Sequence, residues 1–399
     1  ALFVFASNAK HQMLGEPLLF TDLALIGAMF RHPQFYFSVL TAGEKILCWA
    51  ALVAMIVLLA WLVRPDLSMA LPGMGIVSGG LIACDLGFRV GLYRKLARDP
   101  DIMRDAGELG LFPSIVLYWL RWRESRTDAA PRPSLPSTPR PGDAQAEDAP
   151  ELIVAVQCES YADPVELFGN PDHALDWLET SRGDAVQWGN LLVHGFGAYT
   201  MRTEYGVLFG RDEAELGFRV FDPYLTAIED AALALPNRLA GDGWRSAFVH
   251  PHDMRFYSRD RILPKAGFET LVSDEAFAPP TPEEGRYVTD AAIGAKILSL
   301  AQAAQERAFI YAVTIENHGP WAPHGDAASG AMVDNYVRLV RAGDAMLGQL
   351  REGLAALRRP ALLVFFGDHR PSIPGASVPG GDRHTPYVIV RLDAEGRVV

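Results

Sequence analysis

The chain has 399 residues, 49% of them apolar and 21% charged, enough for two or three domains. A net charge of −12, with no basic stripe, excludes a nucleic-acid binder. Of three cysteines, Cys48 and Cys84 lie in apolar segments and only Cys158 falls in the globular part, so no disulfide framework operates there.

The apolar residues are concentrated in the first third. Residues 46–63 (ILCWAALVAMIVLLAWLV) form an uncharged run, apolar on all faces and long enough to span a bilayer as a helix. Residues 71–88 are a second candidate, Gly-rich and carrying Asp85. The chain opens at Ala1 inside an apolar stretch, which leaves room for membrane helices ahead of it, and no cleavable signal peptide is visible. Residues 108–122 read as an interfacial helix, because Trp119, Arg121, Trp122 and Arg123 gather at its end. The expected membrane region is therefore 1–125. Residues 126–150 (RTDAAPRPSLPSTPRPGDAQAEDAP) are rich in Pro, Ala and charge and read as a linker of polyproline character.

From Glu151 onward strand and helix patterns alternate. They predict an α/β domain over 151–399, with a central, mostly parallel sheet flanked by helices. Residues 152–156, 309–315 and 362–366 are β-branched and apolar, the pattern of buried parallel strands. The spacing of Leu339, Met346, Leu347, Leu350, Leu354 and Leu357 predicts a helix over 336–357, closed by Arg358, Arg359 and Pro360.

Three polar motifs follow those strands: Cys158-Glu159-Ser160, Asn317-His318-Gly319-Pro320-Trp321 and Gly367-Asp368-His369. A fourth, Tyr199-Thr200-Met201-Arg202-Thr203-Glu204, follows the small-residue loop Gly195-Phe196-Gly197-Ala198. Ligands of open α/β sheets bind beyond the carboxyl ends of the strands. A carboxylate, a hydroxyl and an Asp-His pair are thus expected at one sheet edge, as a metal site with a built-in nucleophile. Singly, each motif has a plainer alternative. Asp368-His369 reads as a metal pair or a loop pair. Glu159 suits a hard or borderline cation, or opens a helix. For Thr200 the local sequence favours a helix N-cap with Glu204 in the first turn. The functional reading is a nucleophile at a helix N-terminus that receives phosphoryl oxygens. His318, and His384 ahead of the apolar run 387–390, read as ligands, acid–base groups or loop residues. Arg259, in Phe256-Tyr257-Ser258-Arg259-Asp260, reads as a phosphate clamp or a surface ion pair.

In order and residue type the set resembles the alkaline-phosphatase/sulfatase superfamily. Within it, the set is similar to the membrane-bound phosphoglycerol transferases of the lipoteichoic acid synthase type. The segment Leu14-Gly15-Glu16-Pro17-Leu18-Leu19-Phe20-Thr21-Asp22-Leu23 resembles a juxtamembrane stretch of those transferases. The resemblance implies Glu159, Thr200, Asp368 and His369 as metal ligands, Thr200 as nucleophile, and His318 on the substrate phosphate. It implies Arg259 at the head group, with Tyr257 where those synthases carry Trp. His384 is more like the lipid phosphoethanolamine transferases, where such a residue helps form a second metal or substrate site. Those enzymes usually carry several disulfides, which one cysteine cannot provide. No Cys/Ser-x-Pro-x-Arg motif surrounds Cys158, so a formylglycine sulfatase is excluded and Cys158 reads as an apolar filler.

The expected enzyme holds one divalent ion, Mn2+ by its three oxygen ligands and one imidazole, with Mg2+ and Zn2+ as alternatives. It moves phosphoglycerol from phosphatidylglycerol to a glycan or polymer hydroxyl through a phospho-threonine. His318 or His384 protonates the departing diacylglycerol. The alternatives are a phosphoethanolamine transferase, a metal-dependent phosphodiesterase and a catalytically silent membrane-anchored relative. The expected location is the inner membrane of a bacterium, multi-pass, with the catalytic domain outside. The cluster Arg89, Arg94, Lys95 and Arg98 after the second run argues the other way, since such clusters favour the cytoplasmic side.

Overall fold

The computed structural model of the chain describes residues 2–25, 42–62, 67–93, 95–125, 149–322 and 328–399. All but the last two residues of the predicted linker, 126–150, lie outside the described residues. The chain divides into two units: residues 1–16 with 130–399, and residues 17–129.

The larger unit is built on a seven-stranded sheet. Its strands are β1 (Leu152–Cys158), β2 (Gln187–Leu192), β3 (Arg245–Val249), β4 (Thr270–Val272), β5 (Ala308–Val313), β6 (Ala361–Gly367) and β7 (His384–Leu392). In space they run β2-β7-β6-β1-β5-β3-β4. β1 is central and parallel to both neighbours, with Val154 level with Ile310 and Leu363. Only β7 is reversed, antiparallel to β6 on one side and β2 on the other. The predicted sheet is thus present, as a mixed sheet whose reversed strand lies near one edge. All of β5 is buried, and all of β1 except Ile153. Helices cover both faces, so these strands read as continuous apolar runs rather than alternating ones. Val154, Val156, Ile310 and Leu363 pack with Ile293 and Ile297 of helix Asp290–Ala303, and with Leu347 and Leu350 of helix Ser329–Ala356.

Helix Ser329–Ala356 begins seven residues ahead of the predicted 336. Gly330, Asp334 and Asn335 hide the periodicity there, where only Met332 and Val333 reach the core. β3 was not legible as a strand, because it opens with Arg245 and Ser246 and lasts five residues. Helix Leu2–Leu14, expected in the membrane region, belongs to the α/β unit.

In the smaller unit, the stretches Lys45–Leu62 and Ala70–Arg89 have mean hydropathies of 2.3 and 1.4. Both lie on helices long and apolar enough to cross a membrane, and none of either stretch is buried. The predicted interfacial helix at 108–122 is two helices, Ile102–Leu109 and Leu111–Ser125. Gly110, with φ +86°, separates them, and the Asp101 side chain caps the first by accepting from Arg104 N–H at 3.1 Å. The second buries Ile115, Leu117, Tyr118 and Leu120 and leaves Phe112, Val116 and Trp119 exposed at helical spacing.

Candidate metal centre

Cys158 at the end of β1 is level with Gly367 at the end of β6, so Glu159 and Asp368 leave adjacent strands together. Gly367 allows this closeness: a Cβ there would collide with the Tyr161 carbonyl. Ser160 turns the chain with φ +49°, and its N–H donates to Asp368 Oδ1 at 2.8 Å. Its hydroxyl donates to Glu159 Oε1 at 3.0 Å. From the exit of β5, Thr314 Oγ1 accepts the Glu159 N–H at 2.9 Å. Helix Thr200–Phe209 is tied in from the other side, where Thr203 Oγ1 donates to the Asp368 carbonyl at 2.8 Å. Gln157 Nε2 donates to the Thr200 carbonyl at 2.9 Å, and Tyr311 OH fixes that amide by donating to its Oε1 at 2.7 Å.

This framework brings four of the predicted residues together. Glu159, Asp368 and His369 each offer a donor atom within 4.8 Å of the others. His369 Nε2 lies 3.3 Å from Glu159 Oε1 and 3.4 Å from Asp368 Oδ2. The Thr200 hydroxyl stands 3.4 Å from Glu159 Oε2. All four residues are buried. Thr200 is not the N-cap that its local sequence favours. Tyr199, in the left-handed region at φ +71°, holds the cap position without a side-chain cap bond. Thr200 is already helical, and its hydroxyl is directed at a carboxylate rather than at a backbone amide.

The electrostatics fit a cation. Burial and the neighbouring Glu159 push Asp368 up to about 7, against the pull of His369. Burial would lower His369, yet Asp368 and Glu159 hold it at about 9. Burial likewise opposes the Glu159 charge, and His369 overcomes it and keeps that carboxyl below its ordinary range. Asp368 Oδ2 is buried without a hydrogen bond. Two carboxylates, an imidazole and a hydroxyl, crowded and under-neutralised, form a donor set suited to a divalent ion.

The remaining predicted residues divide. Arg259 is not a surface pair: it is 1% exposed and forks onto the fully buried Glu204, with Nη2 to Oε2 at 2.7 Å and Nε to Oε1 at 3.2 Å. Tyr224 OH also donates to Glu204. Arg259 Nη1 is buried without a partner and remains a ready donor for an anionic group. Tyr257 and Ser258, just before it, both have φ +56°, and the Tyr257 ring centroid lies 5.4 Å from the guanidinium. His318 uses Nδ1 to bond the Gly319 carbonyl at 2.8 Å, which leaves Nε2 as the unprotonated nitrogen of the neutral ring. Burial pushes its pKa down, against the Glu159 charge.

His384 lies at the same sheet edge but outside the donor set: it is exposed and its Nδ1 meets Asp382 Oδ1 at 2.6 Å. The pairing within Asp382-Arg383-His384 accounts for its absence from the cluster. One group escaped the sequence reading. His250, at the end of β3, is buried and bonds the Val313 carbonyl through Nδ1 at 2.9 Å. Burial and then the Arg259 charge push it well below its ordinary pKa, so it is neutral. The signal was His250-Pro251-His252 behind Ala247-Phe248-Val249, visible only once that short run is read as a strand.

Known proteins place this geometry in context. The sulfatase family model matches residues 151–395. The capsular polysaccharide biosynthesis protein RkpI of Rhizobium meliloti (strain 1021) is 32% identical over 406 residues, covering 98% of this chain and 75% of its own. A putative cyclic beta-1,2-glucan modification protein of the same organism is 27% identical over 253 residues, or 60% of this chain and 38% of that protein. Among solved structures, the integral membrane lipooligosaccharide phosphoethanolamine transferase A (EptA) from Neisseria meningitidis matches with a TM-score of 0.52 at 15% identity. That match covers 96% of this chain and 74% of that one, and is a likeness of fold. Sheet and family model agree: the chain belongs to the sulfatase family.

Proposed function

We propose that the chain is a membrane-bound, metal-dependent transferase that moves a phosphoglycerol group from phosphatidylglycerol to a hydroxyl of a surface glycan. The observation that carries this reading is the Thr200 hydroxyl, at the first turn of a helix and 3.4 Å from Glu159, beside the Asp368 and His369 donors. Bound by Glu159, Thr200, Asp368 and His369, a divalent ion such as Mn2+ would lower the pKa of the hydroxyl and neutralise phosphoryl charge.

Thr200 Oγ1 gives up its proton to the neutral His318 at Nε2 and attacks phosphorus. The P–O bond to diacylglycerol breaks, and glycerophospho-Thr200 forms. The N-terminal amides of helix Thr200–Phe209 face the phosphoryl oxygens. Arg259, fixed by Glu204, offers its unpaired Nη1 to the head group, with Tyr257 and His250 beside it. The diacylglycerol oxygen leaves with the proton that His318 took from Thr200, which returns the imidazole to its neutral form. A neutral His318, basic at Nε2, removes the proton of the incoming glycan hydroxyl. That oxygen bonds to phosphorus, the Thr200–phosphorus bond breaks, and His318 passes the proton it has taken to the departing Thr200 oxygen. The outward-facing His384 takes no part in this scheme.

The likeness to RkpI along almost the whole chain supports a surface polysaccharide as acceptor. The two long apolar helices support a membrane location, where a tethered site meets its lipid donor at raised effective concentration. In this reading the catalytic unit stands on the outer face of the inner membrane.

The test is incubation of the full chain with Mn2+ and head-group-labelled phosphatidylglycerol, followed by intact-mass analysis. The expected result is diacylglycerol release with a glycerophosphate adduct, both absent in Thr200→Ala. Release from phosphatidylethanolamine alone would move the donor to that lipid. Release of free glycerophosphate, unchanged by added glycan, would make the protein a phosphodiesterase. No release from either lipid would favour a silent relative.

A further inference from the structure

Helix Leu2–Leu14 ends in a turn at Gly15, with φ +72°. Two contacts fasten this end to the α/β unit. Ser372 Oγ donates to the Met13 carbonyl at 2.7 Å. Gly197, with φ +66°, leaves no space for a side chain: a Cβ there would lie 2.6 Å from Ser372 Cβ and 3.4 Å from the Met13 carbonyl. The next residue, Glu16, accepts from Arg202 Nη1 at 2.7 Å and Nη2 at 3.0 Å. This fork is the geometry in which arginine and carboxylate are most specific.

Arg202 lies on helix Thr200–Phe209, two residues beyond Thr200, and is 3% exposed. Its Nε donates to the Phe221 carbonyl at 3.0 Å, so all three guanidinium nitrogens are engaged. The guanidinium lies over the Tyr199 ring, 3.7 Å from its centroid. Tyr199 occupies the left-handed region at φ +71°, ψ +37°, a strained conformation for a residue with a side chain, which persists only under external support. The residue it aims is Thr200. Glu16 is charged at neutral pH: burial opposes the charge, and Arg202, Lys10 and Arg383 outweigh it.

We propose that Glu16 is a positioning residue for the transfer: it fixes Arg202 against Tyr199, and so holds the left-handed turn that points the Thr200 hydroxyl at the donor set. The inference rests on the reading of Thr200 as nucleophile. Without Glu16, a buried guanidinium loses its counter-charge and two of its acceptors. It then leaves the Tyr199 ring to find water, and Tyr199 loses the nearer of the two cations over its ring, the Lys10 ammonium being 5.4 Å from the centroid. The ion pair links the end of helix Leu2–Leu14 to the reacting hydroxyl within the α/β unit.

The test uses the full chain with Glu16→Ala, Glu16→Gln, Glu16→Asp and Thr200→Ala, assayed for kcat and donor KM with Mn2+, together with the Mn2+-induced rise in unfolding temperature. A hydroxyl misplaced by about 1 Å costs on the order of a hundredfold. Glu16→Ala should therefore lose roughly ten- to a hundredfold in kcat, with donor KM and the Mn2+ response close to wild type. Glu16→Gln should fall between, and Glu16→Asp should recover most of the rate. Wild-type kcat in Glu16→Ala, beside a dead Thr200→Ala, would overturn the proposal and leave the nucleophile reading standing. A loss in Glu16→Ala that Glu16→Asp does not relieve, and that tracks a lost Mn2+ response, would also overturn it, as a general structural defect. Turnover by Thr200→Ala would remove the nucleophile, and this inference with it.

Discussion

Thr200 and Arg259 separate two kinds of buried polar residue. The Thr200 hydroxyl meets only the carboxylates of the donor set, Glu159 at 3.4 Å and Asp368, so little of the fold depends on it. Thr200→Ala is expected to fold with near wild-type stability and to lose kcat by on the order of ten-thousandfold or more, as other covalent sites do without their nucleophile. Thr200→Ser, which keeps the hydroxyl, should retain measurable diacylglycerol release in the same assay. Arg259 is the opposite case, because Glu204 is fully buried beneath it. Arg259→Ala leaves that carboxylate unpaired, at a cost of about 3–5 kcal/mol in urea denaturation. The double variant Arg259→Met/Glu204→Met should recover part of that stability, since apolar replacements of a buried pair are often neutral. It should not recover donor turnover, because no forked cation remains for the head group. Equal recovery of both would show that Arg259 serves the fold alone.

At the level of elements, the strand ends explain what was legible. Runs such as 309–315 and 362–366 are read from composition alone because both faces of the sheet are covered, and their ends locate His318, Asp368 and His369. Gly367 is part of that arrangement, as the point where β6 passes against the Tyr161 carbonyl. Gly367→Ala should cost about 1–3 kcal/mol or more, as overpacking does, and should lower the unfolding temperature even with Mn2+ present. Unchanged stability would mean that the Tyr161 turn yields. What was not legible has equally physical causes. β3 is short and starts with polar residues, so His250 at its end went unread. Thr200 was ambiguous because a cap and a nucleophile share one local sequence. The deciding contact, Glu159, is 41 residues away. Arg259 looked like a surface residue for the same reason, as its partner Glu204 is 55 residues distant. The break at Gly110 was hidden by an apolar pattern that runs on either side of it.

Across the whole molecule, the donor set gathers groups from residue 159 to residue 369, so it exists only when the α/β unit is folded. Without a cation, Glu159 and Asp368 are held together in a buried site with His369 as their shared counter-charge. A divalent ion that binds this arrangement and not the unfolded chain must stabilise the fold by mass action. At a hundredfold excess over its Kd the gain is about 2.7 kcal/mol. Mn2+ should therefore raise the unfolding temperature of the full chain, and a chelator should reverse the rise. Glu159→Gln and Asp368→Asn should lose this response. They should differ from wild type far less in chelator than in Mn2+, because each removes a ligand and also relieves crowding between two buried carboxylates. Arg259→Ala, with its donor set intact, should start from a lower temperature and still respond. A wild-type chain indifferent to Mn2+, Mg2+ and Zn2+ alike would mean that these four residues serve the fold without holding a metal, and the transferase reading would fail with them.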